Sequence, residues 1–146
     1  MNQSKDNSSI QLGKECEIYP NVYLGYKYLG WKNPTIVGDK SRIHSGTVIY
    51  ADTVIGKRFT CGHNVIIRAH CEIGDRVVIL HGSTLEGMIK IGKGVKIMAH
   101  VYIPSRTVIG ELVFIGPGVN ILNASLPMRS ESLSGVTIGN NVVVGG

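Results

Sequence analysis

Four of the five histidines recur at an almost constant interval, as His44, His63, His81 and His100. A neutral imidazole can take a proton from an amine or a hydroxyl at the moment of nucleophilic attack. The segment KIMAHVYIP, residues 96–104, has no acidic residue, so any partner of the His100 ring must come from elsewhere in the fold. These histidines are candidates for acid–base chemistry if the fold brings them together.

A six-residue period indicates the elements that must hold the histidines. Steps of six from Val37 to Ile121 give fifteen positions, of which fourteen are aliphatic and the other is Cys61. The positions four residues further on are also small or apolar. Self-similarity at a fixed period predicts a solenoid, in which neighbouring repeats bury one continuous core.

Glycine sets a second, longer period. Five glycines recur at every third hexapeptide, each directly after an aliphatic residue, so three hexapeptides make one coil. Each hexapeptide is predicted to form a short strand and a turn, and successive coils stack at about 4.8 Å. The predicted fold is all-β, a parallel β-helix with the aliphatic residues inside. The corner glycines are Gly38, Gly56, Gly74, Gly92 and Gly110.

The repeated pattern aliphatic–Gly–x–x–small–x resembles that of the hexapeptide-repeat acyltransferases, over roughly residues 35–146. The resemblance implies a left-handed parallel β-helix, an exception to the usual right-handed crossover. We expect a flexible N-terminus at 1–9, an N-terminal cap over the open core at 10–36 and the β-helix at 37–146. Eleven residues in excess of the repeat predict an extruded loop at 122–135.

The period also sorts the outward residues onto three faces. The face after the glycine corner carries five Lys or Arg residues and no acid. The face after the second corner has no residue with a permanent charge, which favours a subunit interface, and the resemblance implies a homotrimer. His100 is expected as the first outward residue of this charge-free face, beside the corner that holds His44, His63 and His81. His70 is expected to be solvated on another face.

The segment from residue 96 to 127 is similar to the branch of this family that acetylates sugars, including nucleotide-linked amino sugars. Three elements carry the similarity, namely His100–Val101, Val113–Pro117 and Asn123 ahead of a proline, although Ala124 stands where the branch has an acid. The resemblance implies transfer of an acetyl group from acetyl-CoA to an amine or a hydroxyl of a sugar. It also implies active sites that lie between two subunits and often use a histidine.

Catalytic roles are assigned first to His100, and then to His81 and His63 on the same edge of the solenoid. A base must deprotonate the attacking group, and backbone N–H groups can stabilise the tetrahedral oxyanion. No metal is expected to take part.

Substrate binding is expected at Asn123, which opens the extruded loop, and at Tyr102 and Asn120, which share the charge-free face with His100. Members of the family lay the pantetheine arm of CoA along glycine-rich coils. The resemblance therefore implies Gly145 and Gly146 as the start of the cofactor-binding stretch.

Two other functions remain open from the sequence. The same fold occurs in gamma-class carbonic anhydrases, and LHGSTLEG at 80–87 is similar to their HGC element. A zinc site of that class needs three histidines, but Arg76 stands where a second ligand belongs and His44 is one residue out of phase. A non-catalytic β-helical scaffold is the third possibility, favoured by Ala124 and by the short C-terminal stretch of repeats.

Composition limits the classes of partner and the cellular location that we expect. The chain has 146 residues, a formal charge of +5 and no basic run or base-stacking motif, so nucleic acid is not an expected partner. Three cysteines without regular spacing are not a disulfide framework. The polar N-terminus has no signal region, and no apolar run approaches the ~18 residues of a membrane span. A cytoplasmic location is the default expectation.

Overall fold

The computed structural model describes residues 9–123 and 134–145, and within them the chain forms nineteen short β-strands and no α-helix. Most strands have two residues, since each hexapeptide spends its other residues on a corner. No helix among the described residues is long and apolar enough to cross a membrane. The strands are β1 Ile10–Leu12, β2 Glu17–Ile18, β3 Tyr23–Tyr26, β4 Thr35–Val37, β5 Arg42–Ile43, β6 Val48–Tyr50, β7 Val54–Ile55, β8 Thr60–Cys61, β9 Ile66–Ile67, β10 Glu72–Ile73, β11 Val78–Ile79, β12 Thr84–Leu85, β13 Lys90–Ile91, β14 Lys96–Ile97, β15 Tyr102–Ile103, β16 Val108–Ile109, β17 Phe114–Ile115, β18 Thr137–Ile138 and β19 Val143–Val144.

The strands form three parallel sheets, one along each side of the coil. The first sheet has the order β1-β4-β7-β10-β13-β16-β18, the second β2-β5-β8-β11-β14-β17-β19 and the third β3-β6-β9-β12-β15. Each strand from β1 to β14 therefore pairs with the strand three positions later, whereas β16 pairs with β18 and β17 with β19. Ile55 pairs with Ile73 and Ile73 with Ile91, so the register advances by three hexapeptides from one coil to the next. The predicted all-β parallel helix with three hexapeptides per coil is confirmed.

The core is the column of aliphatic residues predicted from the six-residue period. Ile43, Ile79 and Ile97 are fully buried, and they stack on equivalent residues above and below. The second buried column mixes valines with Ser and Thr, whose hydroxyls bond to corner carbonyls, as in Ser41 Oγ to Gly38 O at 2.7 Å. Every buried side-chain nitrogen or oxygen among the described residues has a hydrogen-bond partner. Burying polar atoms inside this core is therefore compensated.

Two features define the corners. In the described coils, the second residue of each two-residue turn has a positive φ, whether or not it is glycine. The corner glycines do not have a positive φ. They are needed because the backbones of neighbouring coils approach closely there. A Cβ at Gly56 would lie 2.8 Å from the backbone of Gly74 in the next coil. The predicted glycine corner is thus explained by close backbone contact rather than by an unusual φ.

Residues 10–26, within the segment predicted to be a cap, form a first coil that continues all three sheets. Leu12 pairs with Val37, and Ile18 with Ile43, so this coil is seven residues longer than a regular one. One of the extra residues forms a bulge in β3 between Leu24 and Tyr26, and the other six fall between β3 and β4 and form a loop. At the other end, the pairing of Ile109 with Ile138 makes the coil between them eleven residues longer than a regular one. Residues 124–133 of this excess lie outside the described part of the chain.

Candidate functional site

The corner between the second and third sheets carries four histidines, and we call it the histidine corner. Each coil contributes one residue before the turn and two turn residues, numbered 44–46, 62–64, 80–82, 98–100 and 116–118. His44 takes the first of these places, His63 and His81 the second, and His100 the third. The column of imidazoles therefore steps across the corner as it rises along the solenoid.

His81 and His100 form one contact pair on this corner. Their ring centroids are 5.0 Å apart and the ring planes are nearly perpendicular, at 89°. The backbone N–H of His100 donates to the carbonyl of His81 at 2.9 Å. Both side chains are exposed, so a ligand can contact either ring without any rearrangement of the core.

The position of His100 differs from the sequence-based expectation. The period places it as the first outward residue of the charge-free face, but it is the second residue of the turn, with φ 56°. The six-residue period does not reveal that each turn ends on a left-handed residue. The first outward strand residue is instead Tyr102 in β15.

His44 and His63 form a second pair, with ring centroids 5.1 Å apart. Tyr19 of the first coil stacks on His44, with centroids at 4.5 Å and an interplanar angle of 21°. Sequence reasoning misses Tyr19 because it assigns residues 10–36 to a cap. The sequence does hold a signal for this coil, since Leu12, Ile18 and Leu24 are spaced by six residues and Gly13 follows Leu12.

Tyr102 and Asn120 lie side by side on the third sheet, next to His100. They form a parallel β-bridge, and Asn120 Nδ2 donates to Gly118 O at 3.3 Å. Gly118 is itself bonded through its N–H to Ala99 O, directly before His100. The structure therefore brings three of the predicted site residues, His100, Tyr102 and Asn120, onto one contiguous patch of the surface.

Asn123 lies at the opposite edge of the third sheet. Its Nδ2 donates to Ser105 O at 3.3 Å, and Ser105 is five residues beyond His100. His100 and Ser105 stand in successive turns of one coil, at the two ends of the side that contains β15. Within one chain, Asn123 and His100 are therefore not brought together.

Gly145 lies on the histidine corner, beyond His100. It follows β19, and the pairing of Ile115 with Val144 aligns it with Gly116 of the preceding coil. Two coils separate it from the coil of His100, which is roughly 10 Å along the solenoid. Gly145 thus shares an edge with the predicted catalytic histidines. Gly146, the second predicted cofactor-binding glycine, lies outside the described residues.

The third sheet is free of charge only along its strand residues. Val48, Ile66 and Thr84 precede Tyr102 in the outward column, and none of them is charged. At the far edge of the same sheet, however, Arg68 Nη1 and Glu86 Oε2 form an ion pair at 2.7 Å. The two charges neutralise each other, so the face remains neutral overall.

A buried carboxylate on the corner between the third and first sheets is not predicted by the sequence. Asp52 is 7% exposed. It accepts hydrogen bonds from Tyr28 Oη at 2.7 Å, from Asn33 N at 2.7 Å and from Asn33 Nδ2 at 2.9 Å, as well as from Lys32 N at 3.0 Å. Burial tends to raise the pKa of Asp52, but these hydrogen bonds lower it to about 2.

Tyr28 connects this carboxylate to His70. The phenol oxygen lies 2.9 Å from His70 Nε2, and because its proton goes to Asp52, it accepts the bond from Nε2–H. Burial, with the bond to Asp52 and its charge, raises the pKa of Tyr28 to about 12. His70 is exposed on another corner, as expected, but its ring is also bonded to Tyr28. Together these groups fasten the loop between β3 and β4 to the solenoid.

The described residues show no group of three or more His, Cys, Asp or Glu side chains that could hold a metal ion. Cys61 and Cys71 are buried, and burial raises their pKa values to about 11 and about 12. A shallow depression of about 550 Å³ lies on the first sheet, away from the histidines, and the Glu72–Lys90 ion pair borders it. Its exposed position and paired charges give it no evident chemistry.

The family model for the bacterial transferase hexapeptide repeat matches residues 52–87 and 88–123, with six repeats in each. Among curated proteins, no sequence is significantly similar to the chain.

Solved structures share the fold. The acetyltransferase domain of PglB from Neisseria gonorrhoeae, solved alone and with acetyl coenzyme A, is 17% identical, with a TM-score of 0.64 over 95% of this chain and 55% of its own. A histidine-to-alanine mutant of GDP-perosamine N-acetyl transferase from Caulobacter crescentus, bound to CoA and GDP-perosamine, is also 17% identical, with a TM-score of 0.64 over 90% of this chain and 50% of its own.

This chain spans about half the length of the solved structures that it matches. At this level of identity, the shared feature is the fold. The matched repeats, the register of three hexapeptides per coil and the three parallel sheets agree: residues 52–123 consist of bacterial transferase hexapeptide repeats, and the chain folds as a left-handed parallel β-helix.

Proposed function

We propose that this protein transfers an acetyl group from acetyl-CoA to an amine or a hydroxyl of a sugar, including nucleotide-linked sugars. The observation that carries the proposal is the His81–His100 pair, exposed on the same edge of the solenoid as Gly145. The PglB domain and the perosamine enzyme support it, because both share the fold and are named as acetyltransferases.

His100 is proposed as the general base. The acceptor nitrogen or oxygen attacks the thioester carbonyl, a C–N or C–O bond forms and the C–S bond breaks. The proton removed from the acceptor passes through the imidazole to the leaving thiolate of CoA. A histidine suits both transfers, since it changes protonation state near neutral pH. His81 is in contact with His100 and is proposed to hold the His100 ring in place. His63, on the coil before that of His81, is proposed to line the same edge of the solenoid.

The acceptor is proposed to bind on the third sheet, beside His100. Tyr102 offers an aromatic ring and a hydroxyl, and Asn120 offers an amide, within one contiguous patch. An aromatic ring next to hydrogen-bonding groups suits a sugar, which has apolar C–H faces and polar hydroxyls. Neither group carries a charge, so the patch accepts a neutral ring without desolvating an ion.

A homotrimer is proposed, with the third sheet at or near the subunit interface. This face is neutral, and it exposes Tyr23, Tyr26 and Ile66 by about 40% each. Uncharged, aromatic-rich surface is typical of interface cores. Asn123 lies at the edge of this sheet opposite His100, so it is proposed to serve the active site of a neighbouring subunit rather than that of its own chain.

Acetyl-CoA is proposed to lie along the histidine corner, toward Gly145 and Gly146. A Cβ added at Gly145 would meet nothing within 4 Å, so the surface there is open to a ligand. The acetyl end of the donor would then lie at His100, roughly two coils away.

Calorimetric titration with acetyl-CoA tests this proposal. Saturable binding at one site per chain is expected, and the His100→Asn variant is expected to bind with similar affinity because the base acts after binding. Absence of binding by the full chain would leave the non-catalytic scaffold as the better explanation. Zinc bound at one ion per chain, together with no acetyl-CoA binding, would favour the metal lyase.

A further inference from the structure

The imidazole of His100 rests directly on the backbone of Gly82. An ideal Cβ built on Gly82 would lie 2.6 Å from His100 Cε1 and closer still to Nδ1, whereas Cγ is 3.4 Å away. Real Cβ atoms essentially never approach other heavy atoms under 3.0 Å. The ring therefore occupies the space that any side chain at residue 82 would need.

These distances also give the orientation of the ring. The Nδ1–Cε1 edge faces Gly82, so the opposite edge, which carries Nε2 and Cδ2, is directed away from that coil. The neighbouring His81 ring meets His100 at 89°, and the backbone of His100 is bonded to His81 O. The ring is thus supported by two residues of the preceding coil.

The same arrangement occurs two coils earlier on the histidine corner. Gly46 has φ 80° and Gly82 has φ 69°, and each is covered by a residue with φ 56°, Asn64 and His100 respectively. A Cβ on Gly46 would lie 3.0 Å from Asn64 Cγ and closer to its amide oxygen. Glycine thus alternates with a larger residue, and the larger side chain folds back over the glycine. Of these two pairs, only the upper one contains an imidazole, a side chain that can act as a general base.

We propose that Gly82 is a positioning residue for His100. It leaves the space in which the imidazole rests, and it thereby presents Nε2 as the nitrogen that takes the proton from the acceptor. The inference rests on the proposed function for the identity of the reaction. The position of the ring itself does not depend on that reaction and can be measured separately.

Asparagine is the sharpest substitution at residue 82. Asn64 occupies the equivalent turn place with φ 56°, so asparagine fits the left-handed backbone of this corner. Gly82→Asn therefore keeps the turn but fills the space beneath His100. Gly46→Asn is the matched control, because it introduces the same side chain at the same turn place under Asn64 instead of His100.

The first readout is the NMR signal of the His100 ring, assigned by comparison with His100→Asn. Gly82→Asn is expected to shift this signal and its pH titration clearly, while Gly46→Asn leaves both within the wild-type range. The second readout is turnover. The kcat of acetyl transfer is expected to fall at least tenfold in Gly82→Asn, with the KM for acetyl-CoA changed by less than about threefold.

The outcomes separate this inference from the proposed function. A wild-type His100 signal and titration in folded Gly82→Asn would overturn the positioning role, and so would equal effects of the two variants on that ring. If the ring moves but kcat does not, His100 is not the base and the proposed mechanism fails instead. If Gly82→Asn does not fold, Gly82→Ala supplies the same steric change with a smaller side chain, and the same two readouts decide.

Discussion

His100 lies edge-on to His81, with ring centroids 5.0 Å apart, although the two residues are nineteen positions apart in the chain. The contact arises because one coil takes three hexapeptides and His100 stands one place further along its turn than His81. The two exposed imidazoles are in contact and lie beside Tyr102, where either ring could accept a proton from a bound acceptor. This relationship is the structural basis of the proposed chemistry.

Replacing His100 by asparagine is expected to lower kcat of acetyl transfer by about a hundredfold or more, the usual range for loss of a general base. Asparagine suits the left-handed turn, so the fold should be preserved. The measurement is steady-state kinetics together with the thermal unfolding midpoint. His70→Asn is the control, since it removes an imidazole from a different corner. Unchanged turnover in His100→Asn with a wild-type Tm would show that His100 is not the base.

Asp52→Asn is expected to lower the free energy of unfolding by about 3 kcal/mol, because hydrogen bonds to a buried charge are lost and an amide hydrogen faces donors. Urea unfolding measures the change. Acetyl-CoA binding should remain close to wild type, since Asp52 lies on a different corner from the histidine pairs. A destabilisation below about 0.5 kcal/mol, which is typical of an ordinary surface substitution, would show that the network with Tyr28 does not secure the loop between β3 and β4.

The same network predicts how stability depends on pH. The folded pKa of Asp52, about 2, lies below its ordinary value of 3.8, so its contribution is present above pH 4 and is lost as the pH falls toward 2. The shift corresponds to roughly 2 kcal/mol. Tyr28 behaves oppositely, because its pKa is raised from 10.0 to about 12: its contribution is full below pH 10 and is lost as the pH rises toward 12. Unfolding experiments across pH should show the acid loss in the wild type and a weaker one in Asp52→Asn.

Ile79→Ala is expected to cost about 2–5 kcal/mol of unfolding free energy, the usual range for removing a buried isoleucine side chain. Ile79 is fully buried between Cys61 and Ile97 of the adjacent coils, so the cavity cannot be filled from outside. Val78→Ala, on the outward side of the same strand, is the matched control and should cost less than about 1 kcal/mol, the span of strand propensities. Equal losses would contradict the inward column as the core.

Thiol accessibility should divide the three cysteines. Cys61 and Cys71 are buried and their pKa values are raised, whereas Cys16 is partly exposed. Since the thiolate is the reactive form, one thiol per chain should react rapidly with a maleimide in the native protein and three after denaturation. Peptide mapping should locate the rapid label on Cys16, and rapid labelling of Cys61 or Cys71 would mean that the core opens readily.

The repeat was predictable because every hexapeptide packs into the solenoid in the same way. An inward aliphatic residue and a close-packed corner glycine, such as Ile73 and Gly74, recur with every coil, so sequence order translates directly into stacking. The first coil was missed because seven extra residues, one in the bulge of β3 and six after it, shift the phase. The Leu12–Gly13 pair preserves the signature, but the interruption hides it from a search at constant period.

The site was predictable only in part. His100 and Tyr102 could be placed on one edge from the period, but the turn position of His100 depends on a φ angle that the pattern does not encode. The Tyr28–Asp52 bond joins residues 24 apart through an irregular loop, and no local sequence feature specifies such a contact. The space that Gly82 leaves for the His100 ring likewise cannot be predicted from the sequence, because it depends on how consecutive coils stack.

Acetyl transfer from acetyl-CoA to a sugar can be measured by mass spectrometry of the acceptor. The full chain is incubated with acetyl-CoA and a panel of free and nucleotide-linked sugars, with and without an amino group. We expect that at least one sugar gains the mass of an acetyl group, that an equal amount of CoA is released, and that His100→Asn suppresses both. No acetylated sugar from any member of the panel, with a folded chain that also fails to bind acetyl-CoA, would contradict the proposed function.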